Sequence, residues 1–229
     1  MYDMVFISFE EPNAEQNWQG LKSRYPNAKR LHGVKGLHKA HIVASNMVTT
    51  DLFYCIDGDA VIFDDFDFSY RVNEHELDHV HVFRARNPIN DLVYGYGAVK
   101  LLPAAEVRKL IDRDFKPDMT SSINRKYKIV HQVSNITAFN TDPYNTWRSA
   151  FRECAKLASG VIDGQVDKET QARLEAWCTR GQDREHGKWC LLGAQAGSKF
   201  GTDNRGTAEL MKINDWRWLQ EEYERSIAA

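Results

Sequence analysis

The chain has 229 residues, 42% of them hydrophobic, with 30 Lys and Arg against 32 Asp and Glu for a formal charge of −2. This length suits one domain or a domain with a helical appendage, and the balanced charge supplies no global basic field for nucleic acid, leaving only a local groove open. No stretch approaches the roughly 18 continuous apolar residues of a membrane helix, and MYDMVFISFE is too short and acidic for a signal peptide, so a cytoplasmic enzyme without a membrane span is the expected class. Cys55, Cys154, Cys178 and Cys190 form neither a CxxC pair nor a zinc ladder and read as reduced thiols.

Met4–Phe9 reads as a first strand, broken by Glu10-Glu11-Pro12-Asn13. Ala14–Tyr25 follows as a helix with Trp18 and Leu21 on its apolar face, then Ala28–Leu31 as a short strand. His32-Gly33-Val34-Lys35-Gly36 is a glycine-punctuated turn into a helix over Leu37–Met47. Lys35 and Lys39 either solvate the start of that helix or meet phosphate. His32, His38 and His41 lack a fourth ligand at a zinc spacing and read as surface or packing residues. Leu52–Ile56 is a run of strand formers entering Asp57-Gly58-Asp59. This βαβαβ order predicts an α/β fold with a largely parallel sheet flanked by helices. Ligands in such sheets bind beyond the carboxyl ends of strands, where Phe9–Glu11, His32–His38, Asp57 and Asp59 all fall. Glycine at the centre of the Asp-Gly-Asp turn permits both carboxylates to face one crevice, and hard oxygen ligands suit Mg²⁺ or Mn²⁺. The same tripeptide is also ordinary hairpin chemistry.

Ser69–Leu77 is polar and carries the chain across one face; His79–Phe83 alternates like a half-buried strand with His79 and His81 on one side. Asn90–Tyr96 leads through Gly97 into an apolar strand ended by Pro103, and Ala104–Ile111 reads as a helix. Lys126–Asn135 is another strand. Asp142 or Thr141 caps a helix beginning near Pro143. Trp147, Phe151, Cys154 and Leu157 form its core face, while Arg148, Arg152 and Lys156 make an opposite ridge that either approaches phosphates or is solvated. Ser159-Gly160 and Asp163-Gly164 mark a boundary between a core of residues 1–160 and a helical C-terminal extension of residues 161–229. Within that extension, Lys168–Cys178, Lys188–Ala196 and Thr207–Ile227 read as helical, separated by polar loops.

Five segments, HGVKGLHKAH, FYCIDGDA, NDLVYGYGAVKLLP, SNITAFNTDPYNTWRSAFREC and WCLLGAQAG, resemble small, mostly phage-encoded glycosyltransferases. Asp57-Gly58-Asp59 resembles the Asp-x-Asp signature of GT-A fold glycosyltransferases, which use nucleotide-sugar donors. The resemblance covers most of the chain and implies a GT-A-like fold. It implies Mn²⁺ or Mg²⁺ held chiefly by Asp59 with Asp57, and a shell completed by His186, with His131 as the rival. It implies a nucleotide diphosphate sugar contacted by Phe9, Glu10, Lys35, His38, Asp57, Gly97 and Lys188, with Gly95 and Gly97 leaving room for sugar or diphosphate. On the acceptor side, Asp118 falls near the base position of inverting enzymes, although Pro117-Asp118 stands where that family carries Glu-Asp. Glu153 is the second candidate acid. Asp118 reads equally as a residue that caps a turn before Thr120, Ser121 and Ser122. The resemblance also implies hydroxymethylated pyrimidine in phage DNA as an acceptor, in the host cytoplasm; metabolites, glycans and protein hydroxyls stay open. Two other functions remain: a sugar-nucleotide hydrolase or nucleotidyltransferase using the same metal site, and a noncatalytic nucleic-acid-binding or scaffold protein in which Asp-Gly-Asp is only a turn.

Overall fold

A computed structural model describes residues 1–228. The chain forms two compact units: Met1–Asn87, Val93–Phe115 and Ser122–Ala138 make the first, and Pro88–Leu92, Lys116–Ser121 and the chain from Phe139 onward make the second.

The first unit is built on β1 (Asp3–Ser8), α1 (Ala14–Arg24), β2 (Lys29–His32), α2 (Leu37–Asn46), β3 (Leu52–Asp57), β4 (Ala60–Ile62), β5 (Val80–Arg86), β6 (Val93–Tyr94), β7 (Val99–Pro103), α3 (Ala104–Arg108) and β8 (Tyr127–Thr137); the short α4 (Met119–Ile123) begins in the second unit and ends in the first. The sheet runs β2-β1-β3-β7-β5-β8-β4, with β6 paired to β5. β1 is parallel to β2 and to β3, as the βαβαβ order requires. The expectation of a largely parallel sheet fails beyond β3: the sheet is mixed. β7 is antiparallel to both β3 and β5, β4 is antiparallel to β8, and only β5–β8 adds another parallel pair. The reason lies in the connections. A parallel return usually runs through a crossover helix, whereas residues 87–98 between β5 and β7 hold the two-residue β6 and no helix.

β3 lies between β1 and β7, and Leu52–Ile56 are all fully buried, which is why its sequence is continuously apolar instead of alternating. Around it pack Phe6, Phe66, Phe68, Phe83 and Leu101. The Tyr54 ring meets Phe68 edge-on at 4.8 Å, and its hydroxyl donates to the Phe68 carbonyl at 3.2 Å.

The connection from β3 to β4 constrains the sheet further. β3 stands third in the strand order and β4 seventh, yet only Gly58 and Asp59 separate them in sequence. Four strand steps in a flat sheet would cover about 19 Å, and this link reaches about 10 Å. The sheet of this unit therefore curls, bringing the β8–β4 edge back toward the end of β3.

The second unit is helical: α5 (Pro143–Ser159), α6 (Asp167–Thr179), α7 (Gly187–Asp203) and α8 (Trp216–Ala228). The Asp142 carboxylate accepts the Asn145 amide at 2.8 Å at the start of α5, Pro143 occupies its first turn, and Gly160 ends it at φ 69°. Cβ atoms at Gly193, Gly197 and Gly201 would lie 2.2, 2.1 and 2.3 Å from the carbonyl oxygens of Trp147, Phe151 and Ala155. These glycines, spaced by one helical turn each, let α7 lie backbone against backbone on α5. Trp147, Phe151, Leu210, Ile213 and Leu219 close the remaining core. No helix among the described residues is long and apolar enough to cross a membrane.

Candidate active site

At the carboxyl end of β3, Asp57 is the first residue after five buried positions to gain exposure. Its backbone amide donates to the Ala98 carbonyl at 2.8 Å, and its carboxylate receives the Lys100 ammonium at 3.1 Å. Lys100 sits on β7 directly opposite Cys55, inside the sheet. Gly97 has φ 83°, and a Cβ there would meet Lys100 Cε at 2.7 Å. Glycine at 97 thus clears the path by which Lys100 reaches Asp57. The space above Gly95 is taken by Ile129, 2.8 Å from where a Cβ would stand.

The Asp-Gly-Asp turn is fixed from three sides. Asn17 of α1 donates to the Gly58 carbonyl at 2.9 Å, and the Ala138 amide donates to the Asp59 carbonyl at 2.8 Å. Glu11 lies over the turn: its Oε2 would touch a Cβ on Gly58 at 2.7 Å, and it accepts the Phe9 amide at 2.7 Å. A side chain at 58 would therefore displace the Glu11 carboxylate from its place over the turn. Burial pushes the Asp59 carboxyl up to about 7, the Asp57 and Glu11 carboxylates push in the same direction, and Lys100 opposes them. Three carboxylates and one ammonium leave a local excess of negative charge.

A second group shares Asp57. Donor atoms of His41, Cys55 and Asp57 lie within 4.8 Å of one another, and the cluster is capable of coordinating a metal ion. His41 is 2% exposed, and its Nδ1 lies 2.8 Å from the Leu37 carbonyl. A carbonyl only accepts, so Nδ1 carries the proton and Nε2 presents its lone pair; Nε2 is buried without a hydrogen-bond partner. Burial, reinforced by Lys100, pushes the His41 pKa down to about 4. Burial pushes the Cys55 thiol up to about 12.

Other expected donor contacts in this unit have different surroundings. Glu10 and Lys35 are exposed, and Phe9 is half-buried with its amide engaged by Glu11. His38 is buried, hydrogen-bonded through Nε2 to Ser122 Oγ at 3.1 Å and stacked on Phe115 at 3.9 Å. His32 pairs with Ser8 at 3.0 Å, so the three N-terminal histidines serve three different partners. His131 is exposed on β8.

In the helical unit, Asp118 and Glu153 meet Lys156, at 3.6 and 2.8 Å. Asp118 also accepts the Ser121 amide at 2.9 Å, capping α4. Burial pushes its carboxyl up, but Lys156 and the Ser121 and Thr120 hydrogen bonds outweigh burial and hold it below the usual range. Burial works against the Lys156 charge, and Glu153 and Asp118 more than restore it. The ridge foreseen on α5 is occupied: Arg148 lies 3.8 Å over the Trp216 ring, and Arg152 donates to the Ile213 carbonyl and to Asn214 at 2.8 and 2.9 Å. His186 precedes α7 at φ 59°, beside Glu185 at 4.0 Å. Lys188 is exposed, with its ammonium 5.5 Å from the Trp189 ring.

Sequence reading missed Asn17, Cys55 and Lys100 as parts of the site, placed Glu11 only by its position beyond the first strand, and set His41 aside as a metal ligand. One signal was present: a lysine inside Val99-Lys100-Leu101-Leu102 breaks an otherwise apolar strand, which requires a buried partner.

No protein-family model and no curated protein sequence matches the chain. Among solved structures, the chain is similar to a putative glucose-1-phosphate thymidylyltransferase from Bacillus anthracis in complex with a sucrose, at 13% identity and a TM-score of 0.34, covering 57% of this chain and 68% of that one.

Proposed function

We propose that the protein is a metal-dependent glycosyltransferase of the GT-A kind, moving a sugar from a nucleotide diphosphate sugar to an acceptor hydroxyl. The observation that carries this reading is the set of side chains gathered at the end of β3: Asp57 and Asp59 flank a glycine over which Glu11 lies, with Lys100 beside Asp57. Asp59, Asp57 and Glu11 offer the oxygen donors that a hard divalent cation such as Mn²⁺ or Mg²⁺ takes, and burial first, then the Asp57 and Glu11 carboxylates, raise the Asp59 carboxyl against the opposing Lys100 charge. Such an ion, when bound, supplies charge neutralisation for a leaving diphosphate.

The chain's own groups have separable roles. Asp59 and Asp57 hold the cation, Glu11 fixes the turn and adds to the negative field, and Lys100 sets the orientation of Asp57 and supplies positive charge. Proton removal from the acceptor is assigned to Asp118, with Glu153 as the second candidate; this assignment rests on the resemblance to inverting enzymes. His186 as a further ligand and Lys188 as a phosphate contact rest on it likewise. The DNA acceptor has no support beyond the resemblance, because Arg148, Arg152 and Lys156 are engaged within the helical unit.

Calorimetric titration of UDP, GDP and their sugars, with and without Mn²⁺, tests the donor site. Metal-dependent binding should be lost in Asp59→Ala and kept in Asp118→Ala; equal loss in two folded variants would contradict the division of roles. Mass spectrometry after incubation with modified and unmodified DNA identifies the acceptor. Donor cleavage that no acceptor alters would move the assignment to a sugar-nucleotide hydrolase.

A further inference from the structure

We propose that His41, Cys55 and Asp57 bind a thiophilic divalent cation of the zinc class, at a site distinct from the carboxylate turn but sharing Asp57 with it. The three residues come from α2 and from β3, two elements fixed by the buried sheet. Their donor atoms lie within 4.8 Å of one another, close enough for small side-chain movements to gather them on one ion. The independent indication is His41. It is 2% exposed, its Nδ1–H is anchored on the Leu37 carbonyl, and its Nε2 lone pair is buried with no hydrogen-bond partner. A ring held through one nitrogen by a backbone carbonyl, with the other nitrogen bare, is the arrangement of a metal-ligating histidine. Thiolate and imidazole favour Zn²⁺ over Mg²⁺ or Mn²⁺, so this trio and the all-oxygen turn select different ions.

Lys100 now holds Asp57 at 3.1 Å and faces the same cluster. Metal binding displaces the ammonium from Asp57, and the Cys55 thiol gives its proton to solvent as sulfur bonds the metal. Three protein ligands leave a fourth position for water. Because Asp57 serves both sites, zinc here withdraws a ligand from the donor turn. This inhibitory consequence, unlike the binding itself, rests on the proposed transferase reading.

Cobalt(II) serves as the probe on the full chain after chelator treatment. The expected result is a thiolate-to-cobalt charge-transfer band in the near ultraviolet, removed by added Zn²⁺ and absent in Cys55→Ser. His41→Gln should weaken cobalt binding by roughly tenfold or more. Lys100→Met removes the competing ammonium and should tighten binding, a gain that a misfolded variant does not produce. The proposal is overturned if cobalt gives no charge-transfer band, if the band survives in Cys55→Ser and so comes from Cys154, Cys178 or Cys190, or if Lys100→Met leaves affinity unchanged or lower. Failure of sugar transfer with the band intact would remove the transferase reading and leave the zinc site standing.

Discussion

Each unit places a lysine among carboxylates, and the two arrangements are chemically opposite. In the helical unit, Lys156 stands between Asp118 and Glu153, and the Ser121 amide takes up further charge on Asp118. Everything there is paired, and Asp118 is held below the usual carboxylate range. In the sheet unit, Lys100 reaches Asp57, while burial, with the Asp57 and Glu11 carboxylates adding to it, raises Asp59 to about 7. A buried cluster in which one ammonium meets both carboxylates holds structure and keeps its charges fixed. The one at the end of β3 sets three carboxylates around one ammonium, and its buried Asp59 is the group whose charge is least supported.

The largest expected effect separates charge from shape at Asp118. Asp118→Asn keeps a capping oxygen for Ser121 and leaves Lys156 paired with Glu153; on the proposed transferase reading it also removes the base, so single-turnover transfer by the folded variant should fall by roughly 10²–10⁴-fold while nucleotide binding holds. Normal transfer in the folded variant, with inversion established from product stereochemistry, would return Asp118 to its capping role alone.

Removing the balancing charge acts on stability instead. Lys156→Met leaves two buried carboxylates without their ammonium, and a loss of about 3–5 kcal/mol is expected from urea denaturation. A loss below 1 kcal/mol would show that the cluster is solvated and that its balance is not structural. At the α5–α7 contact, Gly197→Ala puts a methyl 2.1 Å from the Phe151 carbonyl oxygen. Forcing the helices apart should cost about 1–3 kcal/mol, and an unchanged melting temperature would contradict the close packing.

The smallest effect has a definite sign. The raised Asp59 pKa means that its contribution to stability is fully present below the unfolded value near 3.8 and is lost as pH rises through about 7. Asp118 is depressed, so its contribution is present above the unfolded value and is lost on acidification through its lower folded pKa. Asp59→Asn should therefore gain melting temperature relative to the parent between about pH 4 and 7, and Mn²⁺ should erase that gain by stabilising the parent. A gain that grows toward acid would reverse the assignment of the excess charge.

What the sequence disclosed, and what it hid, follows from the range of each interaction. The five apolar residues before Asp57 identify a buried strand, and Asp142-Pro143 identifies a helix start, because both depend on neighbours in sequence. The direction of β7 was illegible because it depends on the short connection from β5 and on which strands flank it. Arg148, Arg152 and Lys156 were correctly placed on one helix, but periodicity does not tell what covers a face; Trp216, Ile213 and Asn214 arrive from far along the chain. Asp57 and Asp59 were singled out as a pair, whereas Glu11, His41 and Lys100 join them only through the sheet and the first two helices.

The two-residue link between β3 and β4 has a mechanical consequence. Gly58 and Asp59 act as a clasp: they tether the far edge of the sheet to its centre, and the Ala138–Asp59 hydrogen bond fastens that clasp to the end of β8. An insertion there is expected to slacken β4 and its pairing with β8. A ligand seated on Asp59 would work as a rivet through the same point, and the order of the β4–β8 edge and occupancy of the turn become one coupled property.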